Sequence, residues 1–149
     1  MRIPIYQIDA FSSQPFKGNP AAVCPLKEWL PDEVMQSIAM ENNLSETAFF
    51  IKNEDQYDIR WFAPKIEIDL AGHPTLATAH VIFNEMNHQG DSITFNSKIG
   101  DTLDITRNKD IISMNFPSRP PKKIYKKELI EEAIGVEVEE FYENRDGLA

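Results

Sequence analysis

The run LAGHPTLATAHVIFNEM, residues 70–86, limits the possible folds more than any other part of this chain. Gly72 breaks what precedes it, Pro74 suits a first helical position, and residues 75–86 propagate a helix. Leu76, Ala77, Ala79, Val81, Ile82 and Phe83 leave almost no polar stripe over its first turns. A helix apolar nearly all round has to be enclosed on all sides.

The rest of the chain supplies mostly strands to enclose it. RIPIYQIDAF mixes β-branched and aromatic residues with polar ones at near period two, and AAVCPL is a short second strand beyond the loop FSSQPFKGNP. Residues 47–52 (TAFFIK) and 57–63 (YDIRWFA) read as neighbours joined by a polar turn, with Ile59, Trp61 and Ala63 alternating against Asp58, Arg60 and Phe62. Residues 92–117 split at NSKIGD and RNKD into three further strands, a meander by their spacing. One amphipathic helix is expected at about 31–41, where Asp32 and Glu33 complement the dipole and Val34, Met35 and Ile38 share a face. About seven strands and one enclosed helix give an α+β fold, a mixed, strongly curved sheet wrapped around a buried central helix. The predicted core is Ile5, Ile8, Val23, Phe49, Ile51, Trp61, Leu76, Val81, Ile82, Phe95, Ile105 and Met114. A hotdog-type thioesterase also wraps a sheet around a helix, so the element count alone leaves both architectures open.

At 149 residues, 42% of them hydrophobic, the chain can build one domain with a sizeable core. The pattern changes after FPSRPPKK, where KKELIEEAIGVEVEEFY offers a short helix, a stop at Gly135 and a new strand. The expected division is therefore 1–117 for the first domain and 118–149 for a linker and the start of a second. FYENRDGLA enters a strand and stops, which favours an interrupted second domain.

Composition excludes several classes of function. Twenty-four acidic residues against 15 basic ones give a formal charge of -9, and the Lys/Arg residues are scattered apart from PKKIYKK at 121–127. Nucleic-acid binding needs a concentrated basic face, so no nucleic-acid partner is expected, and the basic patch reads as a solvated linker. Cys24 is the single cysteine, which points to a reducing, cytoplasmic setting and reads as a small buried hydrophobe. No stretch reaches the roughly 18 apolar residues of a membrane span. His73 and His80 fall on one helix face, but no third ligand lies at zinc-like spacing, so no metal is expected. His80 reads as a residue with a structural partner, and His88 as a solvated turn residue. A Ser-His-Asp spacing, a phosphate-binding glycine loop and paired cysteines are all lacking.

Chemistry concentrates in a few segments. In NLSETAFF, Glu46 stands at the lip of the core, next to an apolar run. In AGHPT, the backbone N–H groups from Gly72 to Thr75 open a helix and face outward with the positive end of its dipole, a place for a substrate carboxylate. DAFSSQPFKGNPAAVCPL, NLSETAFF, RWFAPKIEIDLAGHPTLATAHVI and MNFPSRPP together resemble the N-terminal half of the phenazine-biosynthesis isomerase (PhzF-like) family, in order and with the right spacing over about residues 1–120. The resemblance implies half of a diaminopimelate epimerase-like fold, in which two similar halves flank the active-site cleft.

The resemblance also implies a cofactor-independent isomerase or epimerase that moves a proton between carbons of a small carboxylate-bearing metabolite. Its catalytic glutamate falls on Glu46 and its active-site histidine on His73. Asn19 also matches the family, as a turn residue or a substrate contact, and Gly72, Pro74 and Thr75 are the substrate-binding candidates given by the helix start. A carboxyl packed beside groups such as Phe49 carries its charge at a cost, which suits a group that gains and loses a proton. The cysteine pair of diaminopimelate epimerases has no counterpart, which argues against a two-thiol racemase. The aspartate and GSA-type segment of the family's second half are also missing. The chain is therefore expected to hold half of an active site, completed by a homodimer or a missing-half partner; the alternative is a truncated, inactive product or a non-catalytic binding domain. The tail is expected to leave Ile134, Val136, Val138 and Phe141 in water.

Overall fold

The computed structural model describes residues 2–125, 128–144 and 147–148. The chain divides into two compact units, one ending at Phe116 and the other starting at Pro117.

In the first unit, β1 (Tyr6–Ala10), β2 (Asn19–Leu26), β3 (Glu46–Asn53), β4 (Gln56–Phe62), β6 (Ser92–Ser97), β7 (Thr102–Asn108) and β8 (Ile111–Asn115) form one sheet in the order β1-β2-β3-β4-β6-β7-β8. A two-residue strand, β5 (Glu67–Ile68), adds to β4. The β2–β3 and β4–β6 pairs are parallel and the others antiparallel, which makes the sheet mixed. Helix α2 (Gly72–His80) touches β1, β2, β3 and also β8. Since β1 and β8 are opposite edges of the sheet, one helix can reach both only if the sheet curls around it. The fold is the α+β half-barrel that the apolar helix demanded.

The helix departs from expectation in two ways. It is α-helical only through His80, and Val81–Glu85 forms a π-helical turn whose last bond runs from Met86 N–H to the Val81 carbonyl at 3.0 Å. Nor is it enclosed on every side, because His73, Leu76 and His80 form a half-buried stripe at spacings of three and four. Of the predicted core, Val23, Phe49, Trp61, Val81, Ile82, Phe95 and Ile105 are buried, while Ile8, Ile51, Leu76 and Met114 are half-buried. Ile5 is 54% exposed because it lies before the first paired residue of β1.

Strand alternation divides the apolar residues between two clusters. Ala48, Phe50, Ile59 and Trp61 face α2, whereas Phe49 and Phe62 turn to the other face of the sheet and pack with Met35 and Ala39 of α1 (Asp32–Asn42). Pro31 caps α1 rather than opening its first turn, and Asn43 ends it in the left-handed conformation at φ 51°. Cys24 is buried in this second cluster, and burial pushes its thiol up to about 12, which leaves it inert at neutral pH.

Arg60, assigned by alternation to a polar face, is only 8% exposed because α1 covers that face. Its guanidinium donates to Glu67 through Nε at 2.7 Å and through a second nitrogen at 2.8 Å, and to Asp32 at 2.9 Å. Lys98 adds a 2.7 Å bond to Glu67. One cation thus fastens the start of α1 to β4 and β5. The hydrogen bond from Arg60 holds the Asp32 carboxyl below its ordinary value. Burial works to raise Glu67, but the bonds from Arg60 and Lys98 outweigh it and leave Glu67 lowered too. Lowered carboxyls contribute stability above the unfolded carboxylate range near pH ~4, and that contribution is lost as pH falls through the folded values. Arg60→Met should cost about 2–3 kcal/mol near neutral pH, less than a fully buried pair because Asp32 is exposed, and should flatten the acid side of the stability profile. Urea unfolding at several pH values measures both effects.

His88 differs from its expected place in solvent. It packs edge-on against Phe83 and Tyr57, with ring centroids 5.7 and 6.4 Å away, and its Nε2 lies 3.2 Å from the Ser92 carbonyl. His80 has its structural partner, Asn84, at 3.0 Å.

In the second unit, β10 (Phe141–Asn144) pairs with β9 (Lys122–Ile124) on one side and β11 (Gly147–Leu148) on the other, and α3 (Glu128–Ile134) lies between β9 and β10 in sequence. Gly135 ends α3 at φ 74°, its N–H bonded to the Glu131 carbonyl. Ile134 and Val136 are exposed, as the sequence suggested, but Val138 is half-buried and Phe141 is buried at 6% exposure. The strand starts only at Phe141, which removes the long apolar edge expected across GVEVEEFY. The basic segment is not wholly a linker, since its Lys122–Ile124 forms β9; Lys126, Lys127, Arg145, Asp146 and Ala149 lie outside the described residues.

Candidate active site at the start of the central helix

Glu46 is the first residue of β3, and β3 runs parallel to β2 with Glu46 beside Ala21. The N-terminal ends of both strands therefore lie side by side, and Asn19 and Pro20 stand next to the turn that delivers Ser45 and Glu46. Helix α2 begins against the same end. Nε2 of His73 lies 3.1 Å from Oε2 of Glu46, the two side chains being 11% and 20% exposed. Ser45 Oγ lies 3.4 Å from that same Nε2, from Oδ1 of Asn19 and from the Pro20 carbonyl.

Oε2 of Glu46 is buried and accepts no hydrogen bond, so the 3.1 Å approach of the imidazole lies off the N–H axis. The two groups are close enough to exchange or share a proton through a third atom, and neither locks the other. Glu46 faces the interior with Ala48 and Phe50, not with Phe49, which points through the sheet to α1. The apolar group expected to pack beside the carboxyl is thus on the wrong face, and its place is taken by the helix.

Glycine and proline shape the start of α2. Ala71 occupies the cap position in an extended conformation, and no side chain caps the helix. Gly72 is exposed, and a side chain there would meet nothing within 4 Å. Pro74 and Thr75 are buried; Thr75 donates its hydroxyl to the Ala71 carbonyl at 2.6 Å, so it is not free for a ligand. The open donors are the N–H groups of Gly72 and His73, since Pro74 has none and the Thr75 N–H makes the first bond within the helix, to the Ala71 carbonyl.

Asn19, Glu46, Gly72 and His73 are therefore gathered at one place, while Pro74 and Thr75 support it from within. Sequence reasoning passed over Ser45, although it stands next to Glu46; strand alternation would send it to the opposite face, but β3 begins one residue later and leaves it in the turn. It also passed over the loop support from Asp9, whose carboxylate accepts the Phe16 N–H at 2.6 Å. Gly18 closes that loop: a Cβ there would lie 2.4 Å from the Ala10 carbonyl oxygen. Among the described residues no group of three or more His, Cys, Asp or Glu side chains could hold a metal, and no helix is long and apolar enough to cross a membrane.

Comparison with known proteins identifies the family and the fold. A family profile described as phenazine biosynthesis-like protein matches residues 8–143. An uncharacterized isomerase of Pseudomonas aeruginosa is 43% identical over 148 residues, 99% of this chain and 57% of its own. One from Halalkalibacterium halodurans is 45% identical over 150 residues, 98% of this chain and 55% of its own. The crystal structure of a PhzF-family phenazine biosynthesis protein from Enterococcus faecalis superposes with a TM-score of 0.79 at 46% identity, covering 95% of this chain and 54% of that one. A predicted epimerase from Pseudomonas aeruginosa shares the fold at a TM-score of 0.62 and 24% identity. The chain spans about half the length of the curated relatives it matches. With the profile covering most of its residues and the half-barrel shared with solved members, this chain belongs to the phenazine biosynthesis-like (PhzF) family.

Proposed function

We propose that this chain supplies one half of the active site of a PhzF-like isomerase or epimerase, with Glu46 moving a proton between carbons of a small carboxylate-bearing metabolite. The observation that carries the reading is the Glu46–His73 pair, 3.1 Å apart and mostly buried, at the uncapped start of α2. A carboxylate held only for structure would be matched by well-aligned protein donors, yet the protein group nearest Oε2 is the His73 imidazole, which does not hydrogen-bond it. In this reading the N–H groups of Gly72 and His73 receive the substrate carboxylate, aided by the helix dipole. Asn19 and Ser45 fix the rim. Glu46 takes the proton from one carbon and returns it to another, and His73 supports the charge that forms on the substrate.

Groups facing Glu46 across the cleft come from outside this segment, from a second half or from a second copy of the chain. The reading as a binding domain without chemistry is less well supported, because simple anion capture at α2 has no use for an unmatched carboxylate beside the anion. In D2O, a full-length relative carrying the same motifs should wash solvent deuterium into an activated C–H position of at least one member of a panel of small unsaturated or 2-substituted carboxylic acids, followed by loss of the proton NMR signal. Absence of exchange across such a panel, with binding of the same acids intact, would instead support the binding-domain reading.

A further inference from the structure

Among the described residues, two buried side-chain atoms have no hydrogen-bond partner: Oε2 of Glu46 and Nε1 of Trp61. An ionised carboxylate only accepts and an indole nitrogen only donates, so the two are complementary. They also stand on neighbouring strands. Ala48 pairs with Trp61 and Thr47 with Phe62, which puts Glu46 one step beyond the register and diagonal to Trp61. Alternation turns Glu46, Ala48 and Trp61 to the same side. The Glu46–His73 contact and the packing of Ala48 and Trp61 with Ala77 and Ala79 agree with that.

Diagonal neighbours on one face of an antiparallel pair are about 7–8 Å apart, within reach of an aromatic side chain. Trp61 is 1% exposed, and leaving its N–H unmatched would cost about 1–3 kcal/mol. Buried waters typically sit between otherwise unmatched polar groups of this kind. We infer that one ordered water is held between Nε1 of Trp61 and Oε2 of Glu46, and that through it Trp61 is a positioning residue for the carboxylate. Tethering Oε2 fixes the plane of the carboxylate and leaves Oε1 to meet the substrate. Only this consequence rests on the proposed role of Glu46; the water bridge does not.

The indole N–H resonance of Trp61 reports the bridge directly, and with two tryptophans in the chain a Trp29→Phe variant assigns it. Other ionisable groups near Trp61 are the Arg60, Glu67, Asp69 and Lys98 side chains around the cavity it shares with β5 and Ile99, while His73 from α2 stands against Glu46 itself. The Trp61 peak should move with pH in the wild-type protein, lose that movement in Glu46→Gln and keep it in His73→Asn. A peak that does not move, or moves equally in Glu46→Gln, overturns the inference. In a full-length relative with the same tryptophan and glutamate, the substitution matching Trp61→Phe should lower kcat/KM about tenfold and displace the acid limb of its pH profile, the size expected from loosening a hydrogen bond to a charged group. An unchanged profile in a folded Trp61→Phe variant would also overturn it. Activity surviving in Glu46→Gln would instead sink the proposed function and leave the bridge standing.

Discussion

If Glu46 has the proposed role, Glu46→Gln in a full-length relative carrying the same motif should lower the rate at least about 100-fold, the low end for a general acid/base group, while leaving substrate binding nearly unchanged. Glutamine keeps the shape of the side chain and its place beside His73 but cannot carry the proton. Binding survives because the substrate carboxylate is assigned to the N–H groups at the start of α2, which the substitution does not touch. The loss should therefore appear in kcat rather than KM, as for a group acting only in the transition state. A comparable rise in KM with kcat intact would mean that Glu46 merely helps hold the substrate. The alanine variant should be no more active than the glutamine one, since what matters is the proton and not the hydrogen bond.

The largest effect on stability is expected at Phe50. It lies two strand positions beyond Ala48 on the face that carries Glu46, is 1% exposed, and meets Tyr57 edge-on with ring centroids 5.8 Å apart. Phe50→Ala removes a ring from the space between sheet and helix, and strands paired on both sides of β3 cannot collapse to fill it. The expected cost is about 3–5 kcal/mol. For a domain whose total stability is on the order of 5–15 kcal/mol, that lowers the melting midpoint by roughly 10–20 °C. Calorimetry or circular dichroism would measure it, and a fall of only a degree or two would show that the core around α2 is loosely packed. Ile5→Ala, at an exposed position that the sequence pattern placed in the core, should be nearly neutral.

The sequence made the plan of the fold legible because one helix without a polar face forces enclosure, and strands at short spacing are the only elements left to do it. It was less informative wherever a face is covered by something distant in sequence. Alternation in β4 sorted Arg60 with the polar residues, yet α1 covers that side, and only the carboxylates of Asp32 and Glu67 make its burial tolerable. Phe49 and Phe50 are equally apolar, so the sequence could not show that the sheet has cores on both faces. The π-helical turn was invisible for a related reason: when every face is apolar, a change of helical period leaves no trace in the pattern. His88 looked solvated because NHQG is polar, but the rings of Tyr57 and Phe83 come from elsewhere in the chain.

The site was legible to a different degree. Glu46, His73, Asn19 and Gly72 lie in three separated segments, and no periodicity joins them. The lip of the core drew attention to Glu46 and the helix start to Gly72, but the catalytic roles of Glu46 and His73 and the site match of Asn19 came from the family resemblance, and the structure brings all four to one end of α2. Ser45 was missed because a strand boundary, one residue off, decides which way its hydroxyl turns. Thr75 was taken for a ligand contact from its place at the helix start, whereas both its hydroxyl and its backbone N–H close onto the Ala71 carbonyl.

If Glu46 itself carries the proton from carbon to carbon, an isotope label on the substrate should follow it. Substrate deuterated at the carbon that loses its hydrogen would be converted in ordinary water, and product analysed by mass and NMR. The account predicts that the wild-type enzyme moves part of the label to the accepting carbon and releases the rest to solvent, and that Glu46→Gln leaves it at its original carbon. Label that moves at an undiminished rate in the Glu46→Gln enzyme would contradict the account and assign the chemistry to another group.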